Sequence, residues 1–157
     1  MVRRQGRDID KGFQTLLAGK FSDNAYQGQQ WQLLHPDDEI VMNEDLLLQR
    51  ASDRARALIE GYHPPGEEGL AVAGDEVRQN LEAWLDGQVQ SGVLTPHERT
   101  VGSALARVLC GGNGPARELS ERELLDLERE VFLKLCGLEP TRQRMAHMLK
   151  TGKPLKN

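Results

Sequence analysis

Two four-residue signatures, Thr95-Pro96-His97-Glu98 and Ser120-Glu121-Arg122-Glu123, constrain this chain more than any other feature. Each sets a hydroxyl three residues ahead of a glutamate, so the two side chains can satisfy each other's backbone amides at the first turn of a helix. In the first, Pro96 also suits the opening helical position, where no N–H is needed. The helix begun at Thr95 presents Val101, Leu105, Val108 and Leu109 and stops at Gly111-Gly112. The helix begun at Ser120 presents Leu124, Leu127, Val131 and Leu135. Leu125, Phe132 and Leu133 broaden that face, as expected of a helix packed on more than one neighbour. Gly137 closes it, Thr141 is the expected cap of a last helix carrying Met145, Met148 and Leu149 on one side, and Gly152-Lys153-Pro154 is the stop.

Upstream the punctuation is looser. Residues 1–9 are polar and read as a flexible N-terminus. Phe13, Leu16 and Leu17 predict a short helix over 10–20, weakened by Gly12 and Gly19. A less secure helix over 23–34 carries Tyr26, Trp31 and Leu34, with Gly28 inside it. His35-Pro36-Asp37-Asp38 is a turn, and Ile40-Val41-Met42 is extended but too short to pair alone. Asn43 then caps a helix to about Glu60 with an apolar stripe of Leu47, Ala51, Ala55, Leu58 and Ile59. Gly61 ends that helix and Pro64-Pro65 prevents its continuation. Residues 62–74 are either a boundary between halves or a strap over one core; Leu70 and Val72 favour the strap. Val77, Leu81, Trp84, Leu85 and Val89 predict a helix over 75–90, ended by Gly92. Nothing alternates apolar and polar residues long enough to be a strand. The expectation is an all-α single small domain of about five to seven short helices over residues 10–157, with no significant sheet.

Composition bounds what such a domain can do. With 157 residues, 38% hydrophobic and only 4% aromatic, the core must be modest and built from Leu, Val and Ala. A net charge of −4, with both signs interspersed, argues against nucleic acid or an anionic membrane as partner. The local exceptions are Arg3, Arg4, Arg7 and Lys11 at the start and Lys150, Lys153 and Lys156 at the finish, read as solvated termini. Cys110 and Cys136 have no ligand-like spacing and read as free thiols. No run is long and apolar enough for a membrane span, and the expected location is cytoplasmic.

No catalytic, cofactor or metal set emerges. Gly111-Gly112-Asn113-Gly114 lacks the preceding strand and the Gly-Lys-Ser/Thr ending of a phosphate loop. His97-Glu98 resembles the start of a zinc-protease helix motif, but Val101 stands where the second His belongs, and His35, His63, His97 and His147 are scattered, as surface or capping residues are. Glu121, Glu123, Glu128 and Glu130 share one helix and fit a solvated face. Cys136, near a helix C-terminus, is disfavoured as a thiolate.

The segments LLDLEREVFLKLCG and TRQRMAHMLKTGKPLKN, with VLCGGN, SGVLTPHE and DDEIVMNEDLLLQRASDRARALIEGYHPP upstream, resemble the C-terminal helical region of large bacterial multifunctional fatty-oxidation enzymes. These join a 3-hydroxyacyl-CoA dehydrogenase to a crotonase-type enoyl-CoA hydratase. The resemblance spans about residues 13–157 and implies a part of such an enzyme, whose catalytic residues would lie before residue 1. It implies NAD and CoA esters for the parent family and no cofactor within this chain. The expected role is a non-catalytic module of fatty-acid β-oxidation that completes or covers a hydratase/dehydrogenase core or mediates subunit contacts, with that core or a second copy as partner. The alternatives are an acyl-CoA-binding module, with Arg142, Arg144 and Lys150 as candidates for CoA phosphates, or a stand-alone helical interaction or regulatory protein.

Overall fold

Gly102 has no side chain because Leu85 needs the space. A Cβ there would fall 2.6 Å from Leu85 Cδ2, so two helices meet at this point closer than side chains on both would allow. In the computed structural model, which describes residues 9–64, 66 and 69–157, these helices are α4 (Gly74–Gln90) and α5 (Pro96–Leu109), an antiparallel pair. The basic cluster Arg3, Arg4 and Arg7, the segment 1–8 and Pro65 lie outside the described residues.

The other elements in chain order are α1 (Ile9–Leu17), α2 (Ala25–Gln30), a 3-10 turn (Glu44–Leu46), α3 (Leu47–Ile59), β1 (Leu70–Val72), β2 (Arg117–Leu119), α6 (Glu121–Cys136) and α7 (Glu139–Thr151). Seven α-helices among the described residues make this an essentially all-α fold, as expected. The two three-residue strands add a small antiparallel ladder, with Leu70 opposite Leu119 and Val72 opposite Arg117. Sequence periodicity could not register strands this short.

The core lies between α4, α5 and α1. Phe13, Leu81, Leu85, Ala106, Leu109 and Cys110 form one buried cluster, flanked by Ile9, Leu17, Val77, Leu94 and Leu105. Phe13, from a helix weakened by glycine, is fully buried and meets Trp84 edge-on at 6.0 Å. Burying a phenylalanine side chain contributes about 1.5–3 kcal/mol, more than enough to offset the roughly 1 kcal/mol that Gly12 costs the helix. Both capping boxes form. Thr95 Oγ1 accepts from Glu98 N at 3.1 Å while Glu98 Oε2 accepts from Thr95 N at 2.8 Å, and Ser120 and Glu123 repeat the pattern.

Several expectations need correction. The helix expected over 23–34 ends at Gln30, because Gln32 adopts φ 57° and the chain turns back, with Leu33 and Leu34 donating to the Gly28 carbonyl. Helix α3 is capped by Asn43 through its 3-10 turn, but its apolar stripe is not part of the core: no residue of α3 is buried. On α6 only Val131 is buried, and Leu125, Phe132 and Leu133 face outward. The helix α6 does pack on more than one neighbour, contacting α5, α7 and β2. Helix α7 begins at Glu139, two residues before the expected cap, since Pro140 fits a first helical turn as well as Thr141 could precede one. Its apolar residues are exposed, Leu149 most of all.

Candidate functional site

The start of α5 and the start of α7 meet at a corner that brings together a histidine, two hydroxyls and an arginine. Capping fixes the first turn of α5, and this aims His97 inward. The residue is buried at 8% exposure, and its Nε2 lies 3.0 Å from Thr141 Oγ1 of α7. Thr141, freed from capping, is therefore the partner of a buried histidine. Arg144, one turn along, donates from Nε to Asn157 Oδ1 at 2.6 Å and from Nη2 to the Asn157 carbonyl at 3.3 Å, and it reaches Thr95 Oγ1 at 3.5 Å. Asn157 in turn donates from Nδ2 to Pro140 O and Gln143 Oε1. The segment after Gly152, where φ 68° turns the chain off the helix, is thereby folded back onto α7 and the cap of α5.

A shallow depression of about 390 Å³ opens here, lined by Pro96, His97, Thr100, Pro140, Gln143 and Asn157. Burial lowers the His97 pKa below the ordinary histidine value, and the nearby Arg144 cation adds to the shift, while Glu98 opposes it. A neutral imidazole beside a hydroxyl is two-thirds of a nucleophile, base and orienter set. The carboxylate in reach, Glu98, is committed to Thr95, whose amide and hydroxyl hold its pKa down against burial. The corner is built as a clasp between α5, α7 and residues 152–157.

The glycine-rich loop 111–115 has the opposite polarity from a phosphate cradle. Its outward groups are carbonyls filled by one guanidinium: Arg117 donates to Gly111 O at 2.6 Å and to Asn113 O at 3.0 Å. The Gly114 amide already points at Asp75 Oδ2, 2.8 Å away. Arg78 and that amide lower the Asp75 pKa, so the carboxylate stays ionised. A dinucleotide or CoA pyrophosphate does not fit residues arranged this way.

Arg142, Arg144 and Lys150 do not converge. Arg142 and Arg144 stand two apart on α7, a spacing that points side chains in different directions. Arg142 is held by Glu139 and the Gly137 carbonyl, Arg144 by Asn157, and Lys150 is exposed near the end of the helix. The acidic residues of α6 are surface groups: Glu123 serves the cap, Glu130 pairs with Lys134 and Arg107, and Glu121 and Glu128 are exposed. His97 departs from its expected surface or capping role. The one signal for it was its place inside a capping box, which fixes its direction but not its partner. Among the described residues no group of His, Cys, Asp and Glu could hold a metal ion.

No family profile matches this chain, and no solved structure does. Its sequence is similar to a region of a 3-hydroxyacyl-CoA dehydrogenase. The relative is the Probable 3-hydroxyacyl-CoA dehydrogenase of Bacillus subtilis (strain 168), 36% identical over 149 residues. The match covers 94% of this chain and 19% of that protein, so the chain spans about a fifth of its relative's length.

Proposed function

We propose that this chain is a non-catalytic helical module of a 3-hydroxyacyl-CoA dehydrogenase of the kind joined to a crotonase-type enoyl-CoA hydratase in fatty-acid β-oxidation, where it completes or covers the enzyme core. The observation that carries this reading is the similarity itself, continuous through almost the whole chain yet confined to a fifth of the relative. The structure is in keeping with it. The polar groups of the α5–α7 corner and of the glycine-rich loop are spent on one another, and the apolar side chains left over lie on the surface. NAD and the CoA ester would be bound by the rest of such an enzyme.

The test is a graft. The matching region of the Bacillus subtilis protein is replaced by this chain, and NAD reduction with a 3-hydroxyacyl-CoA is compared with the parent. The expected result is a folded graft that retains the parent's turnover, with no turnover by the 157-residue chain alone in that assay or in hydration of a crotonyl-CoA-type substrate. Turnover by the isolated chain, or a graft that misfolds, overturns the proposal. The acyl-CoA-binding alternative draws no support from Arg142 and Arg144, both engaged with protein groups. A calorimetric titration with a long-chain acyl-CoA checks it directly.

A further inference from the structure

Helix α3 combines a strongly amphipathic sequence with an absence of burial. At roughly 100° per residue, Leu47, Leu48, Ala51, Ala55, Leu58 and Ile59 fall within one stripe about 120° wide. The remaining arc carries Gln49, Arg50, Asp53, Arg54 and Arg56. Yet Leu48 is 79% exposed, Ile59 73%, and no residue of the helix is buried. Its main packing partner is the 3-10 turn just ahead of it. A helix of 13 residues is marginal in water without a covered face. Arg56 is paired with Asp53 and Arg50 lies near Glu39, whereas Arg54, at the edge of the stripe, has no ion-pair partner among the described residues.

We infer that the apolar stripe of α3 is a docking surface for the body of the dehydrogenase polypeptide, which meets it with an apolar groove and a carboxylate opposite Arg54. This rests on the function proposed above and says which surface performs it. The choice of occupant is argued from the relative: the region similar to this chain is there continuous with the remaining four-fifths of that protein, which is available to cover what these residues leave open. The cation at the rim is suited to set the register of docking, while the leucines and isoleucine supply the attraction.

The inference is tested in the graft described above. Single cysteines are placed at Leu48 and Leu58, and thiol labelling is followed by peptide-resolved mass spectrometry in the isolated chain and in the graft. The expected result is fast labelling at both positions in the isolated chain and labelling slower by about tenfold or more in the graft. A second variant, Leu58→Asp, is expected to leave the melting temperature of the isolated chain unchanged and to lower that of the graft. If the graft is active but labels at the isolated-chain rate, the inference fails and the proposed function stands; if the graft does not fold or turn over, the proposed function itself fails. Protection already present in the isolated chain, with a dimer mass by light scattering that Leu58→Asp abolishes, overturns the inference in favour of a second copy. Protection that arises only on adding anionic phospholipid vesicles overturns it in favour of a lipid surface.

Discussion

Replacing Thr141 by valine removes one hydroxyl and almost nothing else. The β-branched shape is kept and helix propensity barely changes. The hydroxyl is 3.0 Å from Nε2 of His97, a residue only 8% exposed, so its loss leaves a buried ring nitrogen without its partner. An unsatisfied buried polar group costs about 1–3 kcal/mol. The depression beside the ring is open to solvent, which places the expected loss near the lower end, about 1 kcal/mol. Urea unfolding followed by far-ultraviolet circular dichroism measures it, with an unchanged m-value as the sign that only stability moved. The decisive comparison is a double-mutant cycle. In a His97→Ala background Thr141→Val is expected to cost almost nothing, giving a coupling of about 1 kcal/mol. Equal costs in both backgrounds, to within about 0.3 kcal/mol, would refute the pairing and return Thr141 to the role of an ordinary helix residue.

Three further outcomes follow from the geometry. Gly102→Ala drives a methyl to 2.6 Å from the fully buried Leu85 and is expected to destabilise the chain by about 1–3 kcal/mol; an unchanged thermal midpoint would show that α4 and α5 can part without cost. Burial pushes the Cys110 thiol up to about 11, so native alkylation at mildly alkaline pH is expected to label the half-buried Cys136 and spare Cys110, as mass spectrometry would show. His97 is held below its ordinary value of about 6.5, so the unfolded chain binds the proton more readily than the folded one. Its contribution to stability is complete above that value and is lost as pH falls through the lower, folded one; His97→Gln is expected to flatten this part of a pH–stability profile, and an unaltered profile would contradict it.

The helix ends were legible because their chemistry is local. Thr95 with Glu98, Ser120 with Glu123, Asn43, and Gly152 each act within one turn, and each does what its neighbours in sequence imply. The two short strands were not, since Leu70 and Leu119 acquire meaning only through each other. Apolar periodicity identified which faces could be buried but not which ones are. The stripes of α3 and α4 look alike in sequence, yet Leu81 and Leu85 meet α5, while Leu47 and Leu58 meet nothing in the described residues that buries them. Phe13 shows the reverse, where a glycine-interrupted segment supplies a fully buried ring. At the candidate site, His97 and Thr141 lie 44 positions apart and carry no pattern that links them. Arg144 stands out in the sequence by its charge, but its geometry makes it the anchor for Asn157.

The two-stranded ladder also bears on the order in which the chain assembles. Its strands are separated by the 44 residues 73–116, and closing so long a loop for three residue pairs would be unfavourable on its own. The α4–α5 hairpin removes that obstacle, because its two ends already meet where the Gly74 amide donates to the Cys110 carbonyl at 3.1 Å. Once the hairpin has formed, β1 and β2 are delivered side by side and the remaining entropy of closure is small. The ladder is therefore expected to form after the hairpin and to open before it, so that its amides exchange earlier than those of the two central helices.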